Sequence, residues 1–170
     1  MRRLPWEMAG RHESRHRDDG ARPLSEARGD HPIPITGLDH VVLRVHDLAR
    51  AIAFYEDVLG CHEERRLDEL GLVQLRAGAS LIDLVDIDSP LGRAGGGPPE
   101  PAGPNVDHFA LLLDDFDEAS IRAHLEAHGI SAGETAQRYG ARGMGPSIYL
   151  RDPDGNTVEL KGPAAASVLS

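Results

Sequence analysis

The feature that most constrains the fold of this chain is an internal repeat. Three pairs of segments carry it: GLDHVVLRVHD (37–47) with NVDHFALLLDD (105–115), LVQLRAG (72–78) with SIYLRDPDG (147–155), and SLIDL (80–84) with TVEL (157–160). The repeat places His40 on His108 and Asp83 on Glu159. Because the matched segments keep their order, the chain is predicted to contain two copies of one structural unit.

Each copy is predicted to begin with a strand, continue into a helix and end in further strands. In the first copy the helix spans 48–60, with Asp47 as its N-cap and Gly60 at its end. Three short apolar runs follow, at 61–66, 72–76 and 81–87. In the second copy a helix ends at Gly129, and two strands follow, SIYLR and NTVELKG, with a Gly-rich loop, YGARGMGP, before the first of them.

Composition changes along the chain set the domain limits. We predict a disordered extension over 1–34, modules over 35–90 and 105–163, a Gly/Pro linker over 91–104 and a tail over 164–170. The extension carries seven Arg against six Asp or Glu and has no apolar periodicity. The linker lies in a segment, 88–105, that contains five Pro and five Gly.

Charge and apolar content exclude several classes of partner. The formal net charge is −10, and the residues after 34 hold 22 acidic side chains against 11 basic ones, so a nucleic acid is not expected as a partner. No apolar stretch reaches the roughly 20 residues that a membrane span needs, and the N-terminal residues do not resemble a secretory signal. The single cysteine, Cys61, favours a cytoplasmic location.

Strand alternation assigns the polar residues to one face of the predicted sheets. Residues two apart on a strand share a face, so one face of each strand is apolar and suited to packing under a helix. The opposite face carries these polar residues: His40, Arg44, Asp83, His108, Ser147, Tyr149, Arg151, Thr157, Glu159 and Lys161. A polar face on a curved sheet is expected to line a cleft.

Two histidines and two carboxylates at equivalent positions of the two copies indicate a metal site. Imidazole nitrogens and carboxylate oxygens suit a divalent ion such as Zn, Ni, Mn or Fe(II). We therefore predict one divalent ion per site, with His40, His108 and Glu159 as ligands and Asp83 as a possible fourth.

The motifs resemble those of the vicinal oxygen chelate superfamily, which includes glyoxalase I, extradiol dioxygenases, fosfomycin-resistance transferases and bleomycin-binding proteins. The resemblance covers about 35–162, and its most specific pieces are DHVVLRVHDLARAIAFYEDVLG and YLRDPDGNTVEL. It implies an α+β fold of two tandem βαβββ modules that form a curved mixed-sheet metal cleft. It also implies metal ligands on the first and last strands, at His40, His108 and Glu159, and less directly at Asp83.

The reaction is less constrained than the fold. A glyoxalase-like lyase or isomerase would use four protein ligands, with a ligand carboxylate as the base. The expected catalytic residues are Glu159, Tyr149 and Asp83. The expected substrate-binding residues are Arg44, Arg142 and Arg151. Two residues depart from the glyoxalase I pattern: Asp83 stands where Glu is usual, and Ile87 where a glutathione-binding Asn is expected.

Three other activities stay open. The chain resembles extradiol dioxygenases in Tyr149, Asp152 and Glu159, although the histidine expected before Tyr149 is missing. A fosfomycin-type transferase also fits the His, His, Glu set, and a non-catalytic resistance protein would bind its ligand without chemistry. In each case the expected partner is a small molecule. We expect a homodimer, because curved sheets covered on one side leave edges to be paired.

Overall fold

The computed structural model describes residue 33, residues 35–100 and residues 103–164. The predicted N-terminal extension, apart from Ile33, and the predicted tail, apart from Ala164, lie outside the described residues. The described residues from Ile35 onward belong to one compact unit.

The first half folds as one helix-covered mixed sheet. Its strands are β1 (His40–Val45), β2 (His62–Leu67), β3 (Leu72–Ala77) and β4 (Ser80–Asp86), arranged in the order β1-β4-β3-β2. β1 pairs with β4 in parallel, whereas the other two pairings are antiparallel. Helix α1 (Leu48–Ala53) crosses between β1 and β2, and the Asp47 carboxylate caps it by accepting from the Arg50 backbone N–H at 2.9 Å.

The second half repeats this topology strand for strand. Its strands are β5 (Phe109–Leu112), β6 (Ala136–Gly140), β7 (Gly143–Arg151) and β8 (Thr157–Lys161), in the order β5-β8-β7-β6. β5 and β8 are parallel, as β1 and β4 are. Helix α3 (Glu118–Ala127) connects β5 to β6. The predicted α+β fold and its duplication are therefore confirmed.

Two segments differ from the expectation. The segment predicted as a Gly-rich loop, YGARGMGP, lies largely in a hairpin in which β6 and β7 pair over 136–140 and 143–147. The predicted linker begins within a short helix, α2 (Pro90–Ala94), whose first turn is capped by the Ser89 hydroxyl. Glycine and proline content favoured loops in both places, but proline is also common in the first turn of a helix, and glycine occurs in strands where another group approaches the backbone closely.

The first helix also changes its winding partway. After α1 the chain continues as a π-helical turn, Phe54–Val58, and ends at Gly60 with φ +70°. The predicted helix 48–60 is therefore two differently wound pieces. Ile52, Tyr55 and Val58 recur every three residues, a spacing that a regular α-helix also shows, so the sequence did not reveal the π-helical turn.

The two halves share one hydrophobic core. Buried residues from both sheets belong to it, including Leu43, Val45 and Leu84 from the first half and Ile148, Val158 and Leu160 from the second. A buried hydrogen bond of 2.9 Å joins the halves, donated by the Tyr55 hydroxyl to Asp152 in the β7–β8 turn. His46 forms a second link between the halves. Its backbone N–H donates to Asp154 Oδ1 at 2.8 Å, and its ring Nδ1 lies 2.8 Å from the same oxygen. None of the helices in the described ranges has the length and apolar composition needed to cross a membrane.

Candidate functional site

The first half brings His40 and Asp83 to adjacent strands on the face away from the core. His40 begins β1, and the β1–β4 register pairs it with Leu81, two residues before Asp83. The His40 Nδ1 lies 2.7 Å from the Asp39 carboxylate. Asp83 is only 5% exposed, and its Oδ2 accepts a 2.9 Å hydrogen bond from Gln74 on β3. Its other oxygen, Oδ1, is buried without a hydrogen-bond partner among the described residues.

The second half repeats this arrangement with a closer pair. The His108 Nδ1 lies 2.7 Å from the Asp107 carboxylate, and its Nε2 lies 3.6 Å from the Glu159 Oε2. Glu159 is 5% exposed and accepts a hydrogen bond from the Tyr149 hydroxyl across the β7–β8 pair. The Tyr149 ring meets the His108 ring edge to face, with centroids 5.6 Å apart. Thus each half holds one histidine and one buried carboxylate, which we call its half-site.

Carboxylates next to the histidines orient both rings. A neutral imidazole that donates from Nδ1 to Asp39 or Asp107 keeps the lone pair of its Nε2 free for a metal. In His40 the hydrogen bond to Asp39, and secondarily the charge of Asp83, raise the pKa above its usual value. Burial, and then the charge of Glu159, raise the pKa of Tyr149, so this phenol stays protonated and continues to donate.

The two half-sites do not combine within one chain. No group of three or more His, Cys, Asp or Glu side chains that could hold a metal forms among the described residues. Strand alternation explains this separation. Leu43 and Val45 point into the shared core, so His40 on the same strand points away from it. His108 likewise lies opposite Phe109 and Leu111, which pack against that core.

The residues of the two half-sites fit a divalent metal in their chemistry. Together they supply two imidazole nitrogens and two carboxylates, the donor set that Zn, Ni, Mn and Fe(II) accept. The buried, unpartnered Oδ1 of Asp83 is the observation that favours a ligand, because leaving such an oxygen unpaired in the apo protein costs free energy.

Three arginines expected near the substrate occupy different surroundings. Arg44 Nη1 donates to three backbone carbonyls of the linker, those of Gly95, Gly96 and Gly97, at 2.7–3.1 Å. Arg151 Nη1 donates to the Gly155 carbonyl at 2.6 Å. Arg142 is exposed in the turn of the β6–β7 hairpin. The role of each in substrate binding stays a prediction.

Sequence reasoning did not single out several residues that complete the half-sites. Gln74 occupies in the first half the position of Tyr149 in the second, and each hydrogen-bonds the carboxylate opposite it. Asp39 and Asp107 form the duplicated Asp-His pair, which the repeat alignment already displayed. Arg138 on β6 places its guanidinium carbon 4.4 Å from the centre of the Tyr149 ring.

A family model agrees with this architecture. The model described as "Glyoxalase/Bleomycin resistance protein/Dioxygenase superfamily" matches residues 37–160, most of the chain. A catechol-2,3-dioxygenase of Bacillus subtilis is 30% identical over 126 residues, which are 74% of this chain and 41% of that protein. The chain therefore spans less than half the length of this relative. A virulence protein of Salmonella typhimurium is 32% identical over 133 residues, 74% of this chain and 83% of that protein.

Solved structures show the same fold. An integron cassette protein of V. cholerae superposes with a TM-score of 0.60 at 29% identity, covering 78% of this chain and 98% of that one. A lactoylglutathione lyase of Agrobacterium tumefaciens superposes with a TM-score of 0.56 at 27% identity, covering 76% and 96%. Similarity of this degree extends over both halves and their connection.

Proposed function

The chain belongs to the glyoxalase/bleomycin resistance/dioxygenase superfamily, and from this membership we propose that it is a divalent-metal-dependent enzyme of the lyase or isomerase type. Its substrate is a small molecule that chelates the metal through two neighbouring oxygens. The observation that carries the proposal is the matched pair of half-sites, each with an oriented histidine and a buried carboxylate.

The metal would be held by His40, His108 and Glu159, with Asp83 as the fourth ligand. A divalent ion supplies Lewis acidity, which polarises substrate oxygens and stabilises negative charge that develops on them. Asp39 and Asp107 hold the two imidazoles with Nε2 directed away from the carboxylate partner. Four protein ligands would leave two positions for the substrate oxygens, which suits proton transfer next to a carbonyl group.

Glu159 is the proposed base. Its carboxylate accepts a proton from the carbon next to the substrate carbonyl and returns it to the neighbouring carbon. The hydrogen bond from Tyr149 fixes the orientation of this carboxylate, and the proximity of His108 keeps it beside the ligand set. Tyr149 therefore acts as a positioning residue with its hydroxyl protonated.

We further propose that the enzyme is a homodimer in which each metal site uses one half-site from each subunit. The separation of the half-sites within one chain supports this arrangement. So does the orientation of both ligand-bearing faces away from the common core. The acidic composition argues against nucleic acid as a partner, and the proposed location is the cytoplasm.

Metal analysis followed by a substrate panel tests the proposal. Purified protein would be stripped of metal, reloaded separately with Zn, Ni, Mn or Fe(II), and assayed with adducts of 2-oxoaldehydes and thiols. We expect turnover that depends on the ion and falls about a thousandfold in Glu159→Gln, as loss of a base predicts. His62→Ala, which changes an exposed histidine of β2, is the control. Absence of bound metal after loading, or turnover that is unchanged in Glu159→Gln, would refute the proposal.

An extradiol-type dioxygenase is the second candidate, and the environment of Asp83 favours it. Gln74 already hydrogen-bonds one oxygen of this short carboxylate, so a site without Asp83 as a ligand would be a triad of two histidines and Glu159. The relative named catechol-2,3-dioxygenase agrees with that alternative. Oxygen consumption by the Fe(II)-loaded protein with simple catechols distinguishes the two activities.

A further inference from the structure

The chain contains a single lysine, Lys161, and the fold buries it. Lys161 ends β8, two residues after Glu159 and on the same face of the sheet. Its relative exposure is only 4%, and its Nζ is buried without a hydrogen-bond partner among the described residues. Lysine normally buries its aliphatic part and keeps its ammonium group in water, so this arrangement is unusual.

Two glycines of the β6–β7 hairpin accommodate the Lys161 side chain. A Cβ added at Gly140 would lie 3.2 Å from the lysine Cε, and one added at Gly145 would lie 2.9 Å from its Nζ. The side chain of Lys161 therefore extends across the hairpin over the space that these glycines leave. Gly145 has a further reason to be glycine, because its added Cβ would approach the Pro163 carbonyl oxygen to 2.3 Å.

A second cation lies on the same face. Arg138 donates from Nη1 to the Ser147 carbonyl at 3.1 Å and to the Ser147 hydroxyl at 2.9 Å. Ser147 is the direct cross-strand partner of Lys161. Lys161 on β8 and Arg138 on β6 thus belong to the two strands that flank Ser147 on β7, and the Arg138 guanidinium also stacks on Tyr149 of the half-site.

No carboxylate of the described residues lies within ion-pair distance, 4.0 Å, of Lys161. The chain has 28 acidic residues, yet none of the ion pairs among the described residues includes Lys161. A buried ammonium group without a counter-ion destabilises the protein, so an anion that binds there gains a strong, desolvated interaction.

The equivalent place in the first half is apolar. The repeat aligns Lys161 with Val85 and Ser147 with Leu72, and the strand register pairs the residues in the same way in both halves. Val85 is 2% exposed. The cationic feature therefore belongs to the second half alone, as expected of a site for one end of an asymmetric ligand.

We propose that Lys161, Arg138 and Ser147 form a subsite for an oxyanion, and that the substrate carries a carboxylate or a phosphate-type group there. This inference rests on the proposed function, because it makes the subsite part of the same cleft as Glu159 and Tyr149. The ammonium group supplies the charge, and the Ser147 hydroxyl and Arg138 supply directed hydrogen bonds. The substrate would then be a small acid that chelates metal through neighbouring oxygens at its other end.

The single lysine permits a direct measurement. Protein labelled with ¹³C at the lysine Cε gives one lysine signal in an NMR spectrum, and that signal reports on Lys161 alone. Metal-free protein would be titrated with inorganic phosphate and, separately, with acetate, at constant ionic strength with chloride as the reference anion. We expect a saturable shift with at least one of the two oxyanions and none with chloride; the oxyanion that saturates identifies the group.

Variants then assign the binding to the subsite. Lys161→Met keeps a long apolar side chain over the glycines and should abolish phosphate or acetate binding by calorimetry, while Lys161→Arg should retain it. Arg138→Gln should weaken binding about tenfold, whereas Arg65→Gln, at an exposed position of β2, should leave it unchanged. Lys161→Met should also melt at a higher temperature than the wild type in anion-free buffer, because it removes an uncompensated buried charge.

Several outcomes would overturn the subsite. A linear shift of the lysine signal, an equal response to chloride, or undiminished binding in Lys161→Met would each do so. If Lys161→Met does not fold, the wild-type titration and Arg138→Gln decide the matter. Failure of the metal site is distinguishable, because His108→Ala should lose metal but still bind the oxyanion.

Discussion

Of the buried carboxylates of the two half-sites, Asp83 has the less complete hydrogen bonding. Gln74 satisfies Oδ2, but Oδ1 has no partner among the described residues. An unpaired buried acceptor costs about 1–3 kcal/mol, which a coordinated ion would offset. Glu159, its counterpart in the repeat, receives a hydrogen bond from Tyr149 and lies near His108.

Substitution of Asp83 distinguishes a ligand from a supporting residue. If Asp83 coordinates the ion, Asp83→Ala should weaken metal binding about tenfold or more, and Asp83→Glu should retain it because its carboxylate reaches further. Metal affinity would be measured by competition with a chromophoric chelator. Asp114→Asn, at an exposed position after β5, serves as the control. Unchanged metal affinity and turnover in Asp83→Ala would remove Asp83 from the site and favour the dioxygenase alternative.

Asp152 is a buried carboxylate outside the half-sites. It accepts hydrogen bonds from the Tyr55 hydroxyl and from the side chain of Asn156, at 2.9 and 2.7 Å. Burial nevertheless outweighs these bonds and raises the pKa of Asp152 above its usual value of 3.8. The folded state therefore binds this proton more tightly than the unfolded state does.

This pKa shift predicts how the stability difference between wild type and Asp152→Asn depends on pH. A raised pKa contributes stability below the unfolded-state pKa, and that contribution disappears as the pH rises through the folded-state value. The advantage of the wild type over Asp152→Asn should therefore be greater at about pH 4 than at about pH 7. Urea unfolding at both pH values measures it, with Asp114→Asn as the control. A difference that is constant or grows toward neutral pH would contradict the prediction.

At the scale of elements, the sequence predicted the strands that carry or directly follow the proposed ligands. Alternation on β1 and β5 was sufficient to place His40 and His108 opposite the core, because one side of each strand is apolar. The β6 strand was missed because its hairpin is rich in glycine, and α2 because it lies among prolines. Contacts across strands, such as Gln74 with Asp83, depend on register, which a single sequence does not fix.

The linker is more strongly attached than its composition suggests, and Arg44 provides the attachment. Its guanidinium bonds to three consecutive carbonyls after α2, and its backbone N–H and carbonyl bond to the Asn105 side chain. Arg44→Met should remove about 1 kcal/mol of local stability, which corresponds to a roughly fivefold faster hydrogen exchange of the Gly95 and Gly96 amides.

Hydrogen exchange followed by mass spectrometry measures this effect, and Arg50→Met on α1 is the control. Kinetic assays on the same variant separate the two roles of Arg44. A purely structural residue leaves KM nearly unchanged, whereas the substrate-binding role predicted from the sequence requires KM to rise. Unchanged exchange at Gly95 and Gly96 would show that these hydrogen bonds do not hold the linker.

At the scale of the whole molecule, the shared core limits where the proposed metal site could form. Leu43 of β1 and Leu160 of β8 belong to the same core, so the two sheets turn their apolar faces toward it. His40 and Glu159 alternate with these residues on the same strands and lie on the opposite faces. We therefore expect the proposed four-ligand site to take one half-site from a second chain, which a two-fold symmetric dimer would supply twice.

Mixing two inactive variants tests this arrangement. His40→Ala lacks a ligand in the first half-site and Glu159→Ala lacks one in the second, so each homodimer should be inactive. If the subunits share sites, a mixed dimer contains one site with both defects and one with none, and random exchange should restore about a quarter of the wild-type activity and bound metal. As a control, each inactive variant is mixed with His62→Ala, which is active by itself. This mixture shows the activity that remains when an inactive variant only dilutes an active one, without any restored site. No restoration after demonstrated subunit exchange, or a monomeric mass at micromolar concentration with full metal occupancy, would place both half-sites of each centre in one chain. The core would then have to open on metal binding, which hydrogen exchange at Leu43 and Leu160 would detect.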